Sequence, residues 1–103
     1  MTTFVNFTPH SVVLNDGKSF PSAGIARVSN SFTDFNTDGV CDVTFGDIVG
    51  LPDPQDGVTY IVSAIVLSAA KLAGRTDCVA PATGHPACVR KDGFIVSVPG
   101  FVR

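Results

Sequence analysis

The sequence predicts an α+β chain, mostly short antiparallel strands and hairpins arranged as a curved sheet or partly open barrel, with one buried helix around 63–73. Three observations carry that expectation. The dipeptide Asp-Gly recurs at 16–17, 38–39, 56–57 and 92–93, and three of the four copies stand between runs rich in β-branched or aromatic residues. Asp and Gly both tolerate the positive φ that a tight hairpin turn demands. One stretch alone, SAIVLSAAKLAG, abandons that pattern for strong helix formers. Finally, 103 residues suffice for one domain, 1–103, with a modest core.

The elements follow in order. The first hairpin joins SVVL (11–14) to KSF (18–20), and the second joins VSNSFTDF (28–35) to VCDVTF (40–45). The last joins ACVR (87–90) to FIVSV (94–98), where period-2 alternation puts Phe94, Val96 and Val98 on one face. Between the second and last lie a Pro/Gly loop, GLPDPQDG (50–57), then VTYIV and the helix. Ser63 is placed as its N-cap, Gly74 as its C-cap, and Lys71 falls in the last turn. Ile65, Val66, Leu67, Ala69, Ala70 and Leu72 cover nearly the whole circumference. The helix is therefore expected to be buried on most sides, plugging a curved sheet or packing between protomers.

Composition bounds the partners. Apolar residues make up 45% of the chain and charged residues 16%, below the ~25% charged that is usual for soluble domains. With so little charge to cover the outside, a homo-oligomer or larger assembly is expected. A net charge of -2 without a basic stripe argues against general nucleic-acid binding. The opening MTTFVNFTPH has neither the basic region nor the long apolar core of a signal peptide. The most apolar run, 60–73, is too short for a bilayer core of ~30 Å, so no membrane partner is expected. Cys41, Cys78 and Cys88 are odd in number and read as reduced thiols rather than a disulfide framework.

Three groups of residues invite a chemical reading. Asp34, Asn36, Asp38, Gly39 and Asp42 match a calcium loop at positions 1, 3, 5, 6 and 9, but position 12, which must supply a bidentate carboxylate, is Phe45. A hairpin tip is the preferred reading, its acidity a contact or solubility feature. Cys78, His85 and Cys88 form C-x6-H-x2-C, with only His10 available to complete a zinc set. A Cys nucleophile paired with either His is the enzymatic alternative. The third group lies in the loop expected after the helix, GRTDCVAPATGHPACVR, where Arg75, Asp77, Thr83, His85 and Arg90 gather and suit an anion pocket. Arg75 and Arg90 would grip a phosphate or carboxylate by forked hydrogen bonds while Asp77 orients a guanidinium. Arg75 is equally suited to satisfying the helix C-terminus. Asn6, Thr8 and His10 alternate along NFTPH, placing them on one face of an edge strand that Pro9 terminates. They serve either to fix the chain by hydrogen bonds or to form a second wall of that pocket.

These residues also carry a resemblance. VNFTPHSVVL, PSAGIARV (21–28), FGDIVGLPDPQDGVTYIVSAIV (45–66) and RTDCVAPATG (75–84) resemble a family of small tailed-bacteriophage and prophage proteins with an N-x-T-P-H start and a GLP-x-P…YIVS block. The resemblance spans most of the chain and implies a phage-borne, β-rich protein made in the host cytoplasm, without a catalytic residue to carry over. The expectation is a non-enzymatic accessory protein without cofactor that sequesters a small anionic ligand such as a nucleotide. The alternative is a virion component, such as a head-decorating or connector protein, assembling with other phage proteins.

Overall fold

The computed structural model describes residues 3–103. Its strands are β1 (Thr3–Asn6), β2 (Val12–Val13), β3 (Ser19–Phe20), β4 (Arg27–Phe32), β5 (Val43–Val49) and β6 (Val58–Ile61). After the helix α1 (Ala64–Leu72) come β7 (Cys78–Pro81), β8 (Val89–Lys91), β9 (Phe94–Ser97) and β10 (Phe101–Val102).

All three expected hairpins form. β2 pairs with β3, β4 with β5 and β8 with β9, each antiparallel and each turning at an Asp-Gly. Turn chemistry explains them: Asp92 and Gly93 both have positive φ, 54° and 81°, and Gly17 and Gly39 sit at 95° and 80°. The chain is strand-rich α+β, and most of its strand pairings are antiparallel.

The centre is different in kind. A four-stranded sheet runs β1-β6-β7-β10, with β6 parallel to both β1 and β7, and only β10 antiparallel. A parallel pair cannot be closed by a tight turn, so β6 reaches β7 through α1. Parallel strands of this kind are buried on both faces and read as unbroken apolar runs, as YIV and CVA do. Each hairpin ladder stays two-stranded, and none of the described sheets closes into a barrel.

Register divides the side chains between two layers. Val5, Tyr60 and Cys78 stand in one row and, with Val62 and Ala80, face Val66, Leu67 and Ala70 of α1. Ala26, Val28, Ile48 and Leu51, at the base of the β4–β5 hairpin, complete this layer. Ile61 and Val79 face the other way, under Val12, Leu14, Phe20, Cys88, Val98 and Phe101. There Phe4, Phe20 and Phe101 pack on one another with ring centroids 5.1–5.8 Å apart. Ile61 and Val62 are fully buried on opposite sides of the sheet, each contributing roughly 1.5–3 kcal/mol.

Ser63 caps α1 as expected, its Oγ accepting from the Val66 N–H at 3.4 Å. Burial on most sides is not what the helix achieves. Ile65 is 43% and Leu72 78% exposed, because α1 packs on β7 and the β4–β5 hairpin with one stripe only. The molecule is flat, with extents of 49 × 37 × 19 Å and a radius of gyration of 15.3 Å, against about 13 Å for a compact domain of this length. Beyond Val28 and Ile48 the β4–β5 hairpin is mostly exposed and forms an arm, of its strand residues only Phe45 being half-buried, where the arm and the end of α1 border a hollow of about 400 Å³.

Gly50 sits where the returning strand of that arm rejoins the body, at φ 87°, and a Cβ there would collide with the Ile25 carbonyl oxygen. Gly17 has a similar φ but open space around it. Gly17→Ala is expected to lose about 1–2 kcal/mol from conformation alone, and Gly50→Ala about 3 kcal/mol or more. Urea unfolding measures both, and equal losses would show that the arm base does not depend on this close approach.

Candidate functional site

The parallel strands give the central sheet two unlike ends. β1, β6 and β7 begin at Thr3, Val58 and Cys78 and finish at Asn6, Ile61 and Pro81. The candidate anion residues fall at both ends. Arg75 and Asp77 precede β7, whereas Asn6, Thr8, His10 and Thr83 lie where the strands finish, with Arg90 hydrogen-bonded to Thr83. The length of β7 separates the two groups. The single pocket expected to hold Arg75 and Arg90 together is therefore not formed.

At the starting end, Arg75 grips Asp77 with a fork. Nε donates to Oδ1 at 2.9 Å and Nη2 to Oδ2 at 2.8 Å, while Nη2 also donates to the Pro52 carbonyl at 2.9 Å. Both side chains are largely buried, 20% and 15% exposed. The fork holds the Asp77 carboxyl below the usual carboxylate range and raises the guanidinium. Together with the Tyr60 hydroxyl, which donates to the Asp53 carbonyl at 3.2 Å, it pins the 50–57 loop to the sheet. Asp77 does orient a guanidinium, but the oriented group holds the chain's own backbone.

At the finishing end, Asn6 and Thr8 are buried and tie three segments together. The Asn6 amide donates to the carbonyls of His10 and Phe20, both at 2.8 Å, and its Oδ1 accepts from the Thr8 N–H at 2.9 Å. The Thr8 hydroxyl lies 2.6 Å from Asn6 Oδ1 and 2.8 Å from the His10 carbonyl oxygen. A buried amide with every partner satisfied is a fixed joint. The hydrogen-bonded alternative thus describes Asn6 and Thr8, while the His10 ring is exposed and only its carbonyl takes part.

Next to this joint lies a hollow of about 460 Å³ bordered by Thr8, His10, Thr83 and Ser97, with Phe94, Val96 and Val98 as apolar wall. A second, of about 480 Å³, lies between Ala64 at the start of α1 and Thr83 and His85. Arg90 Nη2 donates to the Thr83 carbonyl at 2.8 Å. Carboxyl ends of parallel strands, beside a helix N-terminus, are where α/β sheets commonly take ligands. Sequence reasoning did not find Ser97 or the Phe94 wall, because which face of the last hairpin turns toward Thr8 is a tertiary fact.

The other two groups are dispersed. Cys78 belongs to the layer under α1 and Cys88 to the opposite layer, so the sheet stands between them. His85 is exposed, its Nδ1 accepting from the Ala87 N–H at 3.0 Å. Burial, with Asp77 alongside, pushes the Cys78 thiol up to about 11, which keeps it protonated at neutral pH and a poor nucleophile. In the arm tip, Asn36 Oδ1 accepts from the backbone N–H of Asp38 and of Val40, at 2.9 and 3.0 Å. The oxygen at loop position 3 is thereby spent on the turn, and Asp34, Asp38 and Asp42 stand exposed around it. Among the described residues, no cluster of three or more His, Cys, Asp or Glu side chains is placed to hold a metal ion. No described helix is long and apolar enough to cross a membrane.

Searches of protein-family models, curated proteins and solved structures find no match to this chain.

The Arg75–Asp77 fork predicts an acid-side signature. Asp77 titrates lower in the fold than its ordinary value of 3.8, so its contribution is complete above that value and is lost as pH falls through the depressed one. Arg75→Ala is expected to cost about 2–4 kcal/mol at neutral pH, leaving a largely buried carboxylate and the Pro52 carbonyl without this partner. It should also flatten the decline of stability below the carboxylate range. Denaturant melts across acid pH test this, and an unchanged pH profile in the variant would show that the fork does not set it.

Proposed function

We propose that this chain is a non-enzymatic building block that works by association, through surfaces it leaves bare as a single copy. The observation that carries this reading is excess surface. The chain exposes 6810 Å², whereas a compact monomer of its mass exposes about 5,500 Å². The difference exceeds the roughly 800 Å² that one partner contributes to a standard interface. It is also apolar where it matters: Phe32, Phe35, Leu72 and Phe94 are each 68–78% exposed. Isolated exposed apolar residues are ordinary, but large ones gathered on projecting hairpins, as Phe32, Phe35 and Phe94 are, mark contact surfaces.

In the phage setting implied by VNFTPHSVVL and the GLPDPQDGVTYIVS block, this reading corresponds to a virion component, such as a head-decorating or connector protein, made in the host cytoplasm. Capture of a small anion such as a nucleotide is the second reading. It is supported by the hollow beside Thr8, His10 and Thr83, with Arg90 bonded to Thr83. With Arg75 committed to Asp77 and Pro52, only Arg90 is tied to this hollow, through the Thr83 carbonyl on its border rather than as part of its lining.

Quantitative mass spectrometry of purified particles separates the two readings. A building block appears at a fixed copy number per particle. Absence from particles, together with a thermal shift on adding nucleotide that Arg90→Ala abolishes, would replace assembly by ligand capture.

A further inference from the structure

We infer that the partner is a second copy of this chain, and that the acidic, apolar tip of the β4–β5 arm docks on the basic, apolar β8–β9 hairpin of its neighbour. The inference rests on the assembly reading above and supplies its contact.

Charge is segregated along the chain. From 28 to 70 there is no Lys or Arg, while six of the nine acidic residues, Asp34, Asp38, Asp42, Asp47, Asp53 and Asp56, lie there. Three of those six crown the arm, among Phe32, Phe35, Val40 and Val43, which are 46–72% exposed. None of the three forms an ion pair among the described residues.

The β8–β9 hairpin is the complement. Arg90 and Lys91 are exposed, and neither forms an ion pair with a described carboxylate. Lys91 pairs with Phe94 and Arg90 with Ile95 across the hairpin, so each face carries one cation beside an exposed apolar side chain, Phe94, Ile95 and Val96 being 45–76% exposed. Asp92 in the turn reduces the positive charge without cancelling it. Both hairpins thus carry the same kind of apolar surface with opposite charge.

In one chain the two hairpins spring from opposite sides of the central sheet. The arm base packs in the layer with α1, whereas Val98 and Cys88, flanking the β8–β9 hairpin, pack in the layer on the other side of the central sheet. Arm against arm would oppose three carboxylates with three more. Arm against the neighbour's hairpin satisfies charge and covers apolar surface at once. Exposed ion pairs are individually weak, so here they set partner and register while the apolar residues supply adhesion. Because the two patches differ, the contact either repeats head to tail into a ring or an open chain, or is exchanged reciprocally across a two-fold axis to close a dimer.

Charge swapping tests this by sedimentation velocity and light scattering, with circular dichroism as the control for folding. The arm variant carries Asp34→Lys, Asp38→Lys and Asp42→Lys, and the hairpin variant carries Arg90→Glu and Lys91→Glu. The wild-type chain is expected to self-associate, less so at high salt. Each variant alone should lose at least about tenfold in association. One chain carrying all five changes should regain it, and a mixture of the two variants should co-assemble. Wild-type association indifferent to both sets would overturn the inference while leaving an assembly through another surface. A wild-type chain that stays monomeric at every concentration would overturn it too, and the copy number in particles then decides the assembly reading separately.

Discussion

The parallel pairing of β6 between β1 and β7 is the constraint from which the rest of the molecule follows. A strand in that position is covered above and below, so its neighbours must come from distant parts of the chain and both faces need a lid. Ile61 and Val62, adjacent in sequence and fully buried on opposite faces, show the demand at its sharpest. α1 meets it on one side and the first and last hairpins meet it on the other. In so small a protein that uses nearly all the covering elements there are. The outer side of α1 and the tip of the β4–β5 arm are left exposed, Ile65, Leu72, Phe32 and Phe35 among them.

The polar residues that looked most like a ligand site do part of the same work. Asn6 ties the end of β1 to the segments carrying His10 and Phe20, and Arg75 ties the 50–57 loop to the start of β7. Each replaces, for one stretch of irregular backbone, the hydrogen bonds that a longer sheet would have provided. The fork on Asp77 is strong, directional and turned inward. What remains available for partners is the surface itself, flat, charge-poor and unevenly charged.

How much of this was legible varies with the range of the interaction. The hairpins were readable because positive φ at residues such as Asp92 and Gly93 is a local demand with a local chemical answer. The helix was readable from Ser63 to Gly74 for the same reason. The parallel centre was not, because registers such as Tyr60 with Cys78 are settled by which distant apolar runs share a layer. CVAP was read as part of a binding loop when it is a buried strand, and that misplacement brought Arg75 and Arg90 together on paper. The exposure of Phe32, Phe35 and Leu72 was equally hidden, since an alternating strand looks the same whether or not anything lies against it. The absence of any cation from 28 to 70 was in plain view, and counting charge by segment instead of by chain would have found the acidic arm.

Hydrogen–deuterium exchange at low and high protein concentration addresses the central claim directly. The account predicts that backbone amides of the β4–β5 arm and of the β8–β9 hairpin become protected together as concentration rises, while those of β6 and α1 exchange slowly throughout. Protection of both hairpins that does not change with concentration, or exchange of β6 and α1 as fast as that of the arm, would contradict it.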